Sequence, residues 1–418
     1  MPINYWDESR ILTPWDQINS LVAEANRNAR VTPINDTKRE YTRLERPDAA
    51  DPQLDETRWI TDGAPQFWNV ARMACGPDTP GHNVSAIQDF SNPPSFPSDW
   101  QPSFSENGFV KNYTASMDPC LQPHLRGMSG AFVQWGLIST TQELIPMFGG
   151  CKLPMNNDIL IPGAMYLSGE LRYSGGWNHG PNWGKKEDGI IWRGVASGGR
   201  HQTDNWSHFQ RFRLVQMLNG TTVSDIERHH IKVPTFEMPP MGEQHKSYQG
   251  GTIGEWLTNN SDAGFTALLC YPEGECGYLE PYFSEVGNVL MASQYRQKYM
   301  PDVDGNSFSA RFRSLLLSTS LPLKSTIYAE WHDDRLAPWV HFAPLDNTLQ
   351  DLYGVLGYFL EDQKGDAAAE MLAETGRLWA EKVLRREDML LYVWRVLLEF
   401  ARVCDEDRDR LGFVDDLI

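Results

Sequence analysis

A single stretch, residues 298–330, constrains the fold of this chain more than any other. An apolar segment precedes the polar turn Asp304-Gly305-Asn306-Ser307, and an apolar run follows at 315–317, a pattern typical of a strand, a tight turn and a helix. Gly305 favours a positive φ in such a turn, and the polar residues behind it can cap a helix whose free N–H groups attract anions. Donors for phosphate oxygens follow at Ser309, Arg311 and Arg313. The stretch therefore predicts a diphosphate site, with a capped surface helix and solvated arginines as the alternative.

Strands and helices alternate from residue 189 to residue 360, which predicts a parallel sheet with helices on both faces. The first unit is a buried strand at 189–194, a glycine-rich loop at 195–200 and a helix at about 203–218. Strand, glycine-rich loop and helix in this order begin a Rossmann-like unit. Further strands are expected at 266–270, at the start of the 298–330 stretch, at 321–328 and at 339–344.

The rest of the chain is less regular, except at its end. Two tail helices are expected at 366–385 and 387–403, and their apolar residues at helical spacing predict a side that faces the core rather than a partner. In the second helix these residues are Met389, Tyr392, Val393, Val396, Leu397 and Phe400. The other expected elements are a helix at 16–29, a polar loop at 30–62, an irregular ordered segment at 63–157 with short helices near 127–145, and a strand at 158–162.

The charge balance limits the classes of partner. The chain has 418 residues, 41% of them hydrophobic, and a formal net charge of −18, which predicts a folded protein of two to three domains. An acidic protein is a poor general binder of nucleic acid, because affinity for the phosphate backbone requires a basic surface. A phosphate site must therefore be a local basic island, and its candidates are the lysines and arginines at 193, 200, 211, 213, 298, 311, 313 and 324.

The six cysteines lack the spacing of a zinc site, so no structural metal is expected. They allow disulfides instead, between Cys270 and Cys276 and between Cys75 and either Cys120 or Cys151. Together with six N-x-S/T sequons, they favour a secretory compartment. No signal-like or membrane-spanning apolar run is visible, so we expect a lumenal protein whose start lies upstream of Met1. The sequons are at Asn35, Asn83, Asn112, Asn205, Asn219 and Asn259.

An ordered set of motifs runs through the chain. It comprises Ile191-Trp192-Arg193-Gly194, Lys298-Tyr299 with Asp304-Gly305 and Ser309-x-Arg311-Phe312-Arg313, Ser320-Leu321, Glu330-Trp331, and Pro338-Trp339-Val340-His341-Phe342-Ala343-Pro344. With these motifs the chain resembles glycosyltransferase family 90, the capsule-associated and Rumi-type enzymes, and within it fungal members related to β-1,2-xylosyltransferase. The resemblance covers residues 155–405 and 1–12.

The resemblance implies a two-lobed GT-B architecture of two Rossmann-like lobes with parallel sheets. The lobes would be an acceptor-side lobe at 1–185, incomplete at its start and carrying an irregular insertion at 60–150, and a nucleotide-sugar lobe at 186–365. Residues 366–418 would form C-terminal helices that pack back. The resemblance further implies inverting transfer from UDP-glucose or UDP-xylose to a glycan or protein hydroxyl, in the Golgi or endoplasmic reticulum lumen. The protein would attach to a membrane only through an N-terminal anchor outside this chain.

The resemblance also assigns residues. Asn4-x-x-Asp7 looks like the family motif whose aspartate is the catalytic base, and such a base removes the proton of the attacking hydroxyl. Arginines and N–H groups then stabilise the charge that grows on the leaving diphosphate, so no metal or other cofactor is expected. Arg211 or Arg213 could replace Arg200, and Trp177 and Trp183 are candidates for a sugar or acceptor platform. The expected donor-binding residues are Arg193, Gly194, Arg200, Asp304, Gly305, Ser309, Arg311, Arg313 and Glu330.

Two other functions compete with this interpretation. A catalytically inactive protein that keeps the fold would bind UDP or a glycan without turnover. A cytosolic phosphate-binding enzyme would hold all six cysteines as free thiols.

Overall fold

The computed structural model describes residues 2–40, 58–61, 66–94, 102–135, 139–174, 176–239 and 250–412. Parts of the predicted polar loop at 30–62 and of the segment 63–157 lie outside these residues. The strands that the structure describes are β1 Ile60–Thr61, β2 Ser105–Glu106, β3 Phe109–Val110, β4 Ser139–Thr140, β5 Phe148–Gly149, β6 Cys151–Lys152, β7 Ile159–Leu160, β8 Glu187–Val195, β9 Ser261–Ala267, β10 Gln297–Val303, β11 Leu321–Ser325, β12 Ala329–Glu330 and β13 Ala343–Pro344.

The described α-helices fall mainly in the second half of the chain. The longest are the two at the end, which agree closely with the predicted tail helices. The helices are α1 Trp15–Asn28, α2 Phe67–Ala71, α3 Tyr113–Ser116, α4 Gly130–Val133, α5 Leu171–Ser174, α6 Gln210–Met217, α7 Gly220–His229, α8 Ile253–Asn260, α9 Met291–Gln294, α10 Phe312–Leu317, α11 Leu352–Glu361, α12 Gln363–Val383 and α13 Arg386–Cys404.

A five-stranded sheet, all parallel, organises the second half of the chain. Its order is β9, β8, β10, β11, β13. In chain order this is 2-1-3-4-5, the doubly wound arrangement in which the winding direction reverses between the first and third strands. The predicted parallel sheet is therefore confirmed. Ligands of such sheets bind beyond the carboxyl ends of the strands at the reversal, which here are the ends of β8 and β10.

Several predicted boundaries are corrected by the sheet. The strand expected at 266–270 lies earlier, at Ser261–Ala267, and the strand expected at 321–328 ends at Ser325. Only Ala343–Pro344 of the expected strand 339–344 pairs with the sheet. Trp339 has φ +59°, a left-handed turn conformation that a strand cannot contain. The helix expected from about 203 begins at Gln210, after a short 3₁₀ turn at Trp206–His208.

The described residues before 186 form smaller sheets. Strand β5 pairs with β7 in parallel, and Ile3 joins them through one parallel bridge to Phe148. The carboxylate of Asp158 accepts hydrogen bonds from the backbone N–H groups of Arg10 and Ile11, each at 2.9 Å. The N-terminal segment is thus attached to the strand that was predicted at 158–162. The second Rossmann-like lobe and the domain boundaries stay predictions.

Two disulfides join described residues. Cys75 pairs with Cys120 and Cys270 with Cys276, while Cys151 is a buried free thiol and Cys404 an exposed one. The pairing selects Cys120 over Cys151 as the partner of Cys75. It also disagrees with the six free thiols expected of a cytosolic phosphate-binding enzyme.

The tail helices pack against the rest of the chain to different extents. In α12, the residues on the inner face, including Ala369, Leu372 and Ala380, are buried. In α13 only Met389 is fully buried, and the other members of its predicted core face are half-buried. No described helix is both long and apolar enough to cross a membrane.

Candidate functional site

A cavity of about 710 Å³ lies where the structure predicts a ligand site, beyond the ends of β8 and β10. Its lining comes from the N-terminal segment, α5, the end of β8 with the loop after it, α6, β9, the segment 288–294 and the loop after β10. Six predicted site residues line it. They are Asp7, Arg193, Gly194, Gly305, Ser309 and Arg311.

Two arginines that line this cavity both lie close to one buried indole, that of Trp192. The guanidinium carbons of Arg211 and Arg311 each lie 5.6 Å from the centroid of the Trp192 ring. Burial, with repulsion from Arg311, lowers the pKa of Arg211 to about 10, and burial also lowers the pKa of Arg311. Both side chains remain cations at neutral pH. Two buried like charges are costly unless an anion joins them, so this arrangement suits a negatively charged ligand.

Arg311 keeps hydrogen-bonding capacity that the protein does not use. Its Nη1 donates to the carbonyl oxygen of Arg193 at 2.9 Å, but its Nη2 has no hydrogen-bond partner within the described structure, and neither has the hydroxyl of Ser309. A buried donor without a partner costs about 1–3 kcal/mol. Oxygen atoms of a bound anion would satisfy both groups.

Arg211 is fixed by contacts within the protein. Its Nε donates to the carbonyl of Asp304 at 2.9 Å, and its Nη1 donates to the carbonyl of Val195 at 2.9 Å and to the Ser197 hydroxyl at 2.7 Å. The loop after β8 is thereby tied to the loop after β10. Gly305 leaves room for this guanidinium, because a Cβ at residue 305 would lie 3.0 Å from Arg211 Nη2.

This close approach corrects the predicted reason for Gly305. Gly305 is not among the described glycines with positive φ, so the turn does not need its conformational freedom. The predicted helix cap is also wrong, since α10 begins only at Phe312, its N-cap is Arg311 and no side chain caps it. Arginine side chains, and not a helix start, make this cavity cationic.

Asp7 reaches the cavity through a fold of the N-terminal segment. The Asn4 amide nitrogen donates to the carbonyl of Glu8, and the Asn4 side-chain oxygen accepts from Trp6 N at 3.2 Å and from Arg10 Nε at 3.3 Å. Asn4 thus holds the bend that presents Asp7, which explains the spacing of the Asn4-x-x-Asp7 motif. Asp7 is still largely exposed to solvent, and its partial burial raises the pKa of its carboxyl above the ordinary value.

Residues 280–409, which include Ser309, Arg311 and the loop after β10, match the family described as "Glycosyl transferase family 90". These residues are a glycosyltransferase family 90 domain. The chain is similar to O-glucosyltransferase rumi of Drosophila pseudoobscura pseudoobscura, with 34% identity over 118 residues, 27% of each chain. It is also similar to Protein O-glucosyltransferase 2 of Danio rerio, with 27% identity over 143 residues, 34% of this chain and 27% of the relative. Protein O-glucosyltransferase 1 of Homo sapiens is 25% identical over 132 residues, 31% of this chain and 33% of the relative.

The matched segments thus span about a third or less of these curated relatives. The prediction of glycosyltransferase family 90 is confirmed for residues 280–409, whereas the fungal xylosyltransferase subtype stays a prediction. Asp7, Arg193 and Arg211 lie outside the residues that match the family, and the fold alone brings them to the family 90 domain.

Three predicted donor residues of the family 90 domain lie outside the lining of the cavity. The carboxylate of Asp304 accepts from the Thr326 hydroxyl at 2.6 Å and from Ile327 N at 2.9 Å, and burial raises its pKa to about 7. Arg313 Nε donates to the carbonyl of Leu384 at the end of α12, at 2.7 Å. Glu330 is buried, and its Oε2 accepts from the Tyr166 hydroxyl at 2.5 Å. These side chains are thus used in contacts within the protein.

Glu330 belongs to a buried cluster of charged side chains outside the lining of the cavity. Lys324 Nζ lies 3.2 Å from Asp302 Oδ2 and 3.5 Å from Glu330 Oε1. His332 Nε2 lies 3.4 Å from Glu330 Oε2, and His332 Nδ1 lies 3.2 Å from Asp333 Oδ1. Burial opposes the charge of His332, but Glu330 and Asp333 outweigh burial and raise its pKa to about 9. The cluster is thus a buried series of side chains with alternating charges.

The remaining predicted residues lie at the edge of the cavity or away from it. Arg193 lines it, but its Nη2 forms an ion pair with Asp262 Oδ1 at 2.5 Å. Arg200 is half-buried outside the lining, and its backbone N–H donates to the carbonyl of Gln134 at 3.0 Å. Trp177 is 99% exposed. Trp183 is buried, with its Nε1 donating to Asp366 Oδ1 at 3.1 Å, so neither tryptophan borders the cavity.

Sequence reasoning named Arg211 only as an alternative and overlooked other lining residues. Arg213, the other alternative, is buried elsewhere, where its Nη2 donates to the carbonyls of Met128 and Asn347. Among the described residues, no group of three or more His, Cys, Asp or Glu side chains could hold a metal ion. The overlooked lining residues include Ser197, Asn288, Gln294, Asn306 and Ser307.

Proposed function

We propose that this protein is an inverting glycosyltransferase that moves glucose or xylose from a UDP-sugar to a hydroxyl of a glycan or protein. The observation that carries the proposal is the pair of buried arginines around Trp192 in a cavity that Asp7 also lines. The family 90 domain and the names of its relatives, O-glucosyltransferase and protein O-glucosyltransferase, support the reaction class.

The arginines are suited to the leaving group of this reaction. As the bond between the sugar and UDP breaks, negative charge grows on the diphosphate. Cationic donors that are already in place stabilise that charge without reorganisation. Arg311 Nη2 and the Ser309 hydroxyl lack partners, and we assign them to phosphate oxygens. We propose that these donors replace the metal that other transferases use.

Asp7 is suited to the acceptor side. An inverting transfer needs one carboxylate that takes the proton from the acceptor hydroxyl as this attacks the anomeric carbon. Burial raises the pKa of Asp7, which makes its carboxylate a stronger base. We therefore assign Asp7 as the general base, opposite the diphosphate donors of the loop after β10.

Two substitutions test the two assignments separately: Arg311→Ala tests the diphosphate donors and Asp7→Asn tests the general base. We expect Arg311→Ala to abolish UDP binding, because it removes a buried cation and its free donor. We expect Asp7→Asn to retain UDP binding and to lose transfer, because the amide cannot accept the proton. Titration calorimetry with UDP and transfer assays with UDP-glucose and UDP-xylose measure the two effects.

Matched controls are available on the surface. Arg296→Ala and Asp16→Asn change exposed residues of the same types outside the cavity and should leave binding and transfer unchanged. Transfer that survives Asp7→Asn would contradict the base assignment. UDP binding by wild type without turnover of any sugar would favour the catalytically inactive alternative.

We also propose a secretory setting, in the Golgi or the endoplasmic reticulum lumen. The support is the pair of disulfides, since such bonds persist in oxidising compartments. The exposed sequon Asn83 and others like it would then be open to glycosylation, whereas Asn205 is buried. Mass spectrometry of the protein secreted from a eukaryotic host tests both statements, and a chain with reduced cysteines and no glycans would contradict them.

A further inference from the structure

Gln294 is a buried polar residue in the wall of the cavity that the proposed chemistry does not use. It ends the short helix α9 and is only 4% exposed. Its side-chain Oε1 has no hydrogen-bond partner within the described structure. A buried amide oxygen without a hydrogen-bond partner destabilises the folded protein by about 1–3 kcal/mol. Its presence beside a ligand cavity therefore needs an explanation.

The orientation of this amide is fixed by its other end. Gln294 Nε2 donates to the carbonyl oxygen of Val289 at 2.7 Å. A carbonyl oxygen can accept a hydrogen bond only from the NH₂ end of an amide, so the end without a partner is the oxygen. The group that completes the site must therefore be a hydrogen-bond donor.

The support around Gln294 is apolar and well packed. Met291 and Tyr295 are buried with Ile191, Met300 and Leu315 in one cluster, against which Val289 packs. A side chain anchored on such a cluster holds its rotamer and discriminates sharply between ligands. The segment 288–292 lines the same wall as Gln294 and supplies the apolar surface that a flat ring requires.

We propose that Gln294 selects the base of the donor nucleotide, and this inference rests on the proposed function. The base it fits is a pyrimidine-2,4-dione such as uracil, whose ring N3–H is a donor between two carbonyl groups. Cytosine presents a ring nitrogen lone pair at the same position, and this would face the lone pairs of Gln294 Oε1. The segment 288–294 is thus the base side of the site, and Arg211 and Arg311 form its diphosphate side.

The test compares UDP, CDP and inorganic pyrophosphate on wild type and Gln294→Met by titration calorimetry. Methionine keeps the length and the unbranched shape of glutamine but cannot accept the N3–H. We expect wild type to bind UDP about 10- to 100-fold more tightly than CDP, the range that corresponds to one unsatisfied buried polar group. Gln294→Met should bring the two affinities to within about threefold, with pyrophosphate affinity unchanged. Gln294→Ala replaces it if the methionine variant does not fold.

Two controls separate base selection from general damage. Gln363→Met changes an exposed glutamine at the start of α12 and should preserve the UDP to CDP ratio. Arg311→Ala removes a donor of the diphosphate side and should abolish the binding of UDP, CDP and pyrophosphate alike.

The outcomes distinguish this inference from the proposed function. Equal affinity of wild type for UDP and CDP would overturn the inference and leave nucleotide binding intact. A UDP preference that Gln294→Met or Gln294→Ala retains would also overturn it, because the base would then be read elsewhere. Wild type that binds neither nucleotide would overturn both proposals.

Discussion

At the scale of single residues, Arg211 holds two loops of the site together. Its donors reach the carbonyls of Val195 and Asp304 and the hydroxyl of Ser197. The guanidinium fork is planar and points its N–H groups in fixed, different directions, whereas a lysine ammonium is a single point on a flexible chain. The charge of Arg211 is available to attract an anionic ligand. The planar shape of its guanidinium group holds the two loops together.

Arg211→Lys separates these two roles. We expect the free energy of unfolding to fall by about 2 kcal/mol, because lysine leaves at least one buried acceptor without a donor. We also expect weaker UDP binding, because the loops lose their common anchor. Urea denaturation and calorimetry measure the two effects, with Arg296→Lys as the exposed control. Unchanged stability would show that the fork is dispensable.

Sequence reasoning located many of the residues in the cavity but not all of their contacts. Asp7, Ser309 and Arg311 were predicted from motifs and line one cavity. The contact that explains Gly305 comes from Arg211, far away in the chain, and no local pattern reports it. For the same reason the buried setting of Glu330 was not foreseen, since its partner Tyr166 lies on another segment.

At the scale of elements, the strand pair β6 and β12 joins two distant parts of the chain beside the N-terminal segment. Cys151 pairs with Glu330 in this antiparallel contact. The buried Cys151 thiol donates to the carbonyl of Asp7 at 3.1 Å and is hydrogen-bonded by Ser307 and by the backbone of Phe308. One side chain therefore contacts both the segment of the proposed base and the loop of the donor site.

Cys151→Val tests the contribution of this thiol. Valine is apolar and adds only about one methyl group of volume, while the hydrogen bond to the Asp7 carbonyl is lost. We expect kcat to fall by about fivefold with UDP affinity unchanged, because about 1 kcal/mol of positioning is removed from the base side only. Cys151→Ser should restore most of kcat, and Cys404→Val, at the other free cysteine, should have no effect. An equal loss in Cys151→Ser would indicate a packing defect instead.

The elements that the sequence predicted well are those with long, regular patterns. The tail helices and the strand β8 have such patterns, and their boundaries agree within a few residues. Short elements depend on tertiary contacts. The predicted strand at 339–344 shrinks to Ala343–Pro344, because Trp339 adopts a positive φ and its indole N–H donates to the carbonyl of Val110.

At the scale of the whole molecule, the order of the strands determines where the site residues come together. The five strands run in the order 2-1-3-4-5, so the ends of β8 and β10 diverge and leave a crevice between their loops. The alternation of elements predicted a parallel sheet. It could not predict the order of the strands, because order depends on which strands pair and not on their individual patterns.

The buried cluster of charged side chains around Glu330 makes stability depend on pH. The pKa of His332 is about 9 in the folded protein and near 6.5 when unfolded. A raised pKa means that the folded state binds the proton more tightly, so this stabilisation is complete below pH 6.5 and is lost as pH rises through 9. We expect His332→Asn to be less stable than wild type by at most about 3 kcal/mol at pH 6 and by much less at pH 9.5. Urea denaturation across this range measures the difference, and a gap that is constant with pH would contradict the assignment.

The closeness of two cations to the indole of Trp192 has an optical consequence. The energy of indole emission follows the electric field across the ring, and here Arg211 and Arg311 supply that field at 5.6 Å each. An anion that enters the cavity opposes their field, whereas a neutral ligand leaves it in place. A shift in the emission of this ring, one of the 15 tryptophans of the chain, would therefore report whether an anion has bound beside the two arginines.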